Sequence, residues 1–118
     1  MRKYLMLSSL MLLVILNPAC NKEKSILTPE IGQFIQDQYS NILEVSDDLS
    51  SIPRRIDKNG ALVTTGIFSW TSGFFAGNLW YIYELTGDET WKEEAIKWTE
   101  TLDTIQYWSG NHDVGFMI

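Results

Sequence analysis

The sequence predicts an all-α chain, the first helices of a double-layered helical barrel, on three observations. Two stretches carry apolar residues at steps of three and four with charged residues opposite them; the stretch between is apolar on every side; capping residues mark the start of the first, the end of the second and the start of the third. A helix that is apolar all round is buried all round, so the order amphipathic, buried, amphipathic is that of inner helices sheathed by outer ones. A helical-repeat solenoid is the rival architecture, and it would show a period of about 34 residues. None is present.

The chain opens on Met1-Arg2-Lys3-Tyr4, two positive charges ahead of an apolar run from Leu5 to Leu16 that only Ser8 and Ser9 interrupt. That run is short for a membrane span and has the flanks of a secretory signal. It closes on Asn17-Pro18-Ala19-Cys20, a small residue before the single cysteine of the chain. The expectation is a lipoprotein signal over residues 1–19, with Cys20 acylated and the chain exported and held to a bacterial membrane, periplasmic or at the cell surface, by its lipid anchor alone. Ordinary secretion with an incidental cysteine is the alternative. A lone cysteine excludes an intrachain disulfide, and one histidine beside it offers no metal site. Residues 20–27 read as a polar tether, and residues 28–118 as the folded part.

In that part, Thr28-Pro29-Glu30 supplies an N-cap, a proline at the first helical position and an acid in the first turn. Ile31, Phe34, Ile35, Tyr39, Ile42, Leu43 and Leu49 then place one apolar face on a helix ending near Asp48 to Ser50. Ser51 to Ser69 reads as a long connection in which Pro53 excludes helix, Asn59-Gly60 marks a tight turn and Ala61 to Thr65 form a short extended piece. Connections of this length are often functional.

From Thr71 to Leu85 the residues Phe74, Phe75, Ala76, Leu79, Trp80, Tyr81, Ile82, Tyr83 and Leu85 leave no polar face. Ser72, Asn78 and Glu84 interrupt the run, which speaks for a soluble core over a membrane span, and the spacing Gly73 to Gly77 suits close helix packing. Gly87 then fits a left-handed C-terminal position and Asp88 an N-cap. Trp91, Ala95, Trp98, Leu102 and Ile105 follow on one face of a third helix, opposite Lys92, Glu93, Lys97, Glu100 and Asp103. Because each outer helix returns the chain to the rim it left, Trp70 and Asn111-His112-Asp113 are expected at one rim. The chain stops at Gly115-Phe116-Met117-Ile118 in an apolar run, as a truncated barrel would.

Charge and composition narrow the function. Of the nine basic residues, Arg2 and Lys3 leave with the signal, so seven remain against 15 acidic ones and the net charge becomes −8. Such a polyanion does not attract nucleic acid, and Arg54-Arg55 is too sparse a pair to change that. Five tryptophans, five tyrosines and five phenylalanines on so short a chain call for a larger partner surface to bury them.

Taken alone, Asp113 reads as a cap or turn aspartate and His112 as a hydrogen-bonded structural histidine. Three blocks in order change the weighting: Trp70-Thr71-Ser72-Gly73-Phe74-Phe75-Ala76-Gly77, then Leu79-Trp80 with Tyr83-Glu84-Leu85-Thr86-Gly87-Asp88-Glu89, then His112-Asp113-Val114-Gly115-Phe116-Met117. Together they resemble the N-terminal part of glycoside hydrolase family 88, the unsaturated glucuronyl hydrolases, from about Ile52 to Ile118.

The resemblance implies an (α/α)6 barrel and no cofactor. It also implies removal of a terminal Δ4,5-unsaturated uronic acid from lyase-generated oligosaccharides by hydration of the C4=C5 bond, unlike the two-carboxylate displacement of ordinary glycosidases. By the same resemblance Asp113 is the first of two catalytic aspartates, the second lying beyond Ile118, so that the fragment alone is expected to be inactive. Trp70 is the candidate aromatic wall for the sugar, or else a core tryptophan anchoring its helix, and His112 orients Asp113 or donates to substrate. Trp80, Trp91 and Trp98 are expected to pack. A non-enzymatic glycan-binding surface lipoprotein is the other class that fits; it needs exposed rings but no placed carboxylate.

Overall fold

A computed structural model of the chain describes residues 27–117. The signal segment, Cys20 and most of the tether lie outside the described residues. The order is α1 (Pro29–Glu44), β1 (Ile52–Ile56), β2 (Leu62–Thr65), α2 (Ser72–Thr86) and α3 (Glu89–Glu100), followed by two short 3₁₀ segments, Asp103–Tyr107 and His112–Phe116. The fold is all-α in class, with one small two-stranded ribbon. No helix among the described residues is long and apolar enough to cross a membrane.

Helix α1 starts as its capping residues dictate: Thr28 is the N-cap, its hydroxyl accepting from the Ile31 amide at 3.4 Å, with Pro29 in the first turn. It ends at Glu44, earlier than the apolar spacing suggests. The Ser46 hydroxyl donates to the Ile42 carbonyl at 2.6 Å, and the Asp48 carboxylate accepts from the Ser50 amide at 3.0 Å and from the hydroxyls of Ser50 and Ser51 at 2.7 and 2.8 Å. These side chains offer the backbone a turn in place of further helix, so Leu49 belongs to that turn. Ile35, Tyr39, Ile42 and Leu43 make the inner face, while Ile31 and Phe34 stay exposed.

The connection after α1 is a hairpin, and Pro53 sits within its first strand. Pairing runs Ile52 with Thr65 and Pro53 with Thr64, then Arg55 with Val63 and Ile56 with Leu62, so Arg54 is the extra residue of a β-bulge. A proline is tolerated there because a bulge interrupts the ladder. At the tip Gly60 takes φ +83°, open to glycine at little cost.

The Asp57 carboxylate closes this tip by accepting from the Ala61 and Asn59 amides at 2.9 and 2.8 Å, which holds its carboxyl below the ordinary aspartate range. With the folded-state pKa below the unfolded value of about 3.9, this stabilisation is present above that value and lost as pH falls through the folded one. Acid titration is expected to leave amide-exchange protection at Asn59 and Ala61 intact down to about pH 4. Loss of that protection already near neutral pH would contradict it.

Helix α2 runs to a left-handed Gly87, φ +69°, and Asp88 then caps α3 by accepting from the Thr90 amide at 2.9 Å. Two residues therefore turn the chain through an antiparallel reversal. Ser72, Phe75, Ala76, Leu79 and Ile82 of α2 are buried, as are Trp91, Ala95 and Trp98 of α3. Fully burying a side chain such as Leu79 contributes roughly 1.5–3 kcal/mol. Phe75 is the hub, meeting Tyr39 of α1 stacked at 5.8 Å and Trp98 of α3 edge-on at 5.0 Å.

Among the described residues α2 is buried on one face and leaves Phe74, Tyr81 and Leu85 exposed and Trp80 and Tyr83 half-buried, as expected of an inner barrel helix without the neighbours that would cover its other face. Helix α3 ends at Glu100, yet Leu102 and Ile105 keep their buried positions through the 3₁₀ segment that continues it. The tryptophans expected to pack do so: Trp91 and Trp98 are buried, Trp91 donating its indole N–H to Gln36 at 3.3 Å, and Trp80 donates to Thr99 at 3.0 Å.

Candidate active site

Asp113 stands in the 3₁₀ segment His112–Phe116, and its position follows from the residue before the segment. Asn111 is extended, φ −145° and ψ 146°, and its side-chain oxygen accepts from the Asp113 amide at 3.0 Å. Asn111 is therefore the cap, which releases the Asp113 carboxylate from that task. One of its oxygens lies 3.2 Å from His112 Nε2, with the histidine side chain 91% exposed and that of Asp113 29%. A partly shielded carboxylate beside an exposed imidazole can accept from a sugar hydroxyl or stabilise developing positive charge.

Two contacts hold this segment against the start of α2. Met117 is fully buried, and the Met117 and Phe116 carbonyls lie so close to Gly73 that a Cβ there would come within 2.7 Å of the Met117 oxygen. Gly73 thus serves the close packing its spacing suggested, though against a 3₁₀ turn. Gly77 has open space where a Cβ would stand, with nothing within 4 Å, and lines a groove with Trp80, Phe116 and Met117. The second contact joins the approaching loops: Phe68, two residues before Trp70, meets Trp108 edge-on at 5.0 Å. The loops ahead of α2 and ahead of His112 thereby meet at one end of the molecule.

Among the described residues Trp70 is 49% exposed and rests edge-on against Phe74 at 5.7 Å. It lines a pocket of about 300 Å³ with Phe74, Tyr39, Asn78 and both arginines of the bulge. Burial pushes the Tyr39 hydroxyl up from its ordinary value, opposed by a hydrogen bond with Asn78. His112 and Asp113 are chain neighbours whose side chains approach to 3.2 Å, while Trp70 lines the arginine pocket. Arg54 and Arg55 carried no site signal in the sequence; the one available cue was a proline in a strand ahead of them, which marks a bulge.

No family model matches the chain. An unsaturated glucuronyl hydrolase of Formosa agariphila is 33% identical over an alignment covering 100% of this chain and 31% of that protein. One of Bacillus sp. strain GL1 is 36% identical over 69 residues, 55% of this chain and 18% of its own. A crystal structure of an unsaturated glucuronyl hydrolase specific for heparin superposes with a TM-score of 0.66 at 37% identity, covering 73% of this chain and 23% of that one. The chain spans about a third or less of the length of these relatives. In sequence and in backbone alike, then, the chain is a homologue of the unsaturated glucuronyl hydrolases of glycoside hydrolase family 88, equivalent to part of their helical barrel.

Proposed function

We propose that the protein acts as a glycoside hydrolase on Δ4,5-unsaturated uronyl oligosaccharides, with Asp113 in the active site. The supporting observation is the coincidence of that homology with a part-exposed carboxylate, free of capping duty, on the segment docked at Gly73. The reaction fits hydration of the enol ether: a proton goes to C4, water adds at C5, and the resulting hemiketal opens to release the remaining sugar. Asp113 holds the sugar and stabilises positive charge as the double bond is protonated, and His112 orients it. The second carboxylate, which handles proton and water, is expected elsewhere in the barrel. Substrates of this kind are products of polysaccharide lyases, so the protein acts after a lyase on acidic glycans.

The test is direct. The full-length protein, incubated with an unsaturated uronyl disaccharide, is expected to abolish the double-bond absorbance in step with release of the second sugar. Persistence of that absorbance at high enzyme concentration removes the proposal and favours a glycan-binding role.

We further propose that the protein is exported and anchored through Cys20. In a lipoprotein-processing host, Cys20→Ser is expected to accumulate as uncleaved precursor or to leave the membrane fraction. Membrane partition and processing identical to wild type would refute the anchor.

A further inference from the structure

The bulge of β1 has a geometric consequence that regular pairing would not. Side chains along a strand alternate between faces, but the extra residue of a bulge breaks the alternation. Arg54 is that extra residue, and both it and Arg55 line the pocket that Trp70 walls. Both arginines are exposed, and neither has an ion-pair partner among the described residues, on a chain whose acids outnumber its bases by 15 to nine. Two unpaired guanidinium forks beside a half-exposed indole combine the two elements that an acidic saccharide requires: a flat apolar face for the ring and a planar, bidentate donor for an oxoanion. The pocket, at about 300 Å³, is at the lower limit of ligand sites, suited to one substituted sugar unit.

We propose that Arg54, Arg55 and Trp70 form a subsite for an oxoanion substituent, sulfate ester or carboxylate, of the saccharide. This rests on the glycan reading above and adds to it a determinant of which acidic glycan is preferred. The arginines grip the substituent, and Trp70, braced by Phe74, stacks against the ring that carries it.

The experiment titrates the full-length protein, by tryptophan fluorescence, with two saturated uronyl disaccharides that differ by a single sulfate ester. Lacking the C4=C5 bond, they are not consumed. The sulfated one is expected to bind about tenfold more tightly to wild type, a ratio that collapses toward one in the Arg54→Gln/Arg55→Gln double variant. If the variant weakens both disaccharides equally, the subsite stands and its anion is the shared carboxylate. Unchanged binding of both overturns the subsite, as does failure of either to bind wild type. Circular dichroism confirms folding of the variant, and Arg→Lys at both positions, which keeps the charge but loses the fork, is expected to recover only part of the ratio. Turnover of the unsaturated disaccharide, measured separately, tells loss of the subsite from loss of the parent proposal.

Discussion

Replacing Asp113 by asparagine in the full-length protein is expected to lower turnover of an unsaturated uronyl disaccharide by ~10²-fold or more, with the fold intact. The charge is the point of difference. Asparagine keeps the shape, and the Asn111 cap that orders His112–Phe116 uses the backbone amide of residue 113, which the substitution leaves in place. What disappears is the negative oxygen 3.2 Å from His112 and its field at the sugar. A structural aspartate predicts near-normal turnover in this variant; a catalytic carboxylate predicts a folded, inactive protein. Comparison of turnover with thermal unfolding decides, and near-normal turnover removes Asp113 from the mechanism.

The second large effect is expected at Gly73. An alanine Cβ would stand 2.7 Å from the Met117 carbonyl oxygen and 2.8 Å from its carbon, both backbone atoms of the segment that carries Asp113. Since backbone yields less readily than a side-chain tip, that segment must shift. Overpacking of this kind costs roughly 1–3 kcal/mol, whereas the ~0.5–1 kcal/mol that alanine gains over glycine holds for a helix interior and is smaller in the first turn, where Gly73 stands. Displacement by about 1 Å also lowers turnover by on the order of 10²-fold. Gly77→Ala is the control: nothing lies within 4 Å of its Cβ, so the helix-propensity gain stands alone. Gly73→Ala is expected to unfold at lower temperature than wild type and Gly77→Ala at equal or higher temperature. Equal stability and turnover in all three would refute the packing argument.

The helices were legible because each is signalled locally. Thr28-Pro29, Gly87 and Asp88 fix ends by side-chain hydrogen bonds or a left-handed φ that their own residue types favour. The end of α1 was not, because the apolar spacing continues to Leu49 while Ser46 and Asp48 capture the backbone with short-range bonds that periodicity does not register. The first strand was hidden by Pro53, whose usual meaning is inverted at a bulge.

At the site, Asp113 was marked by resemblance and not by its surroundings. Taken alone it passed for a cap, a role that the structure gives to Asn111 two residues earlier. The arginine pocket could not be read at all, since residues 54 and 70 meet only once the hairpin folds back against α2.

The two-residue reversal between α2 and α3 also bears on how the molecule assembles. Gly73 and Met117 are 44 positions apart, yet everything that brings them together lies between them: one antiparallel helix pair and a short continuation. Closing this contact needs no element from outside that stretch, so it does not wait on residues made after it. During synthesis, in which chains fold from the N-terminus as they emerge, the Asp113 segment can settle against α2 as soon as residue 117 clears the ribosome. The corner that holds the carboxylate would then be a template against which later helices dock, so a slow or defective variant of this hairpin should appear first as lost yield of soluble protein.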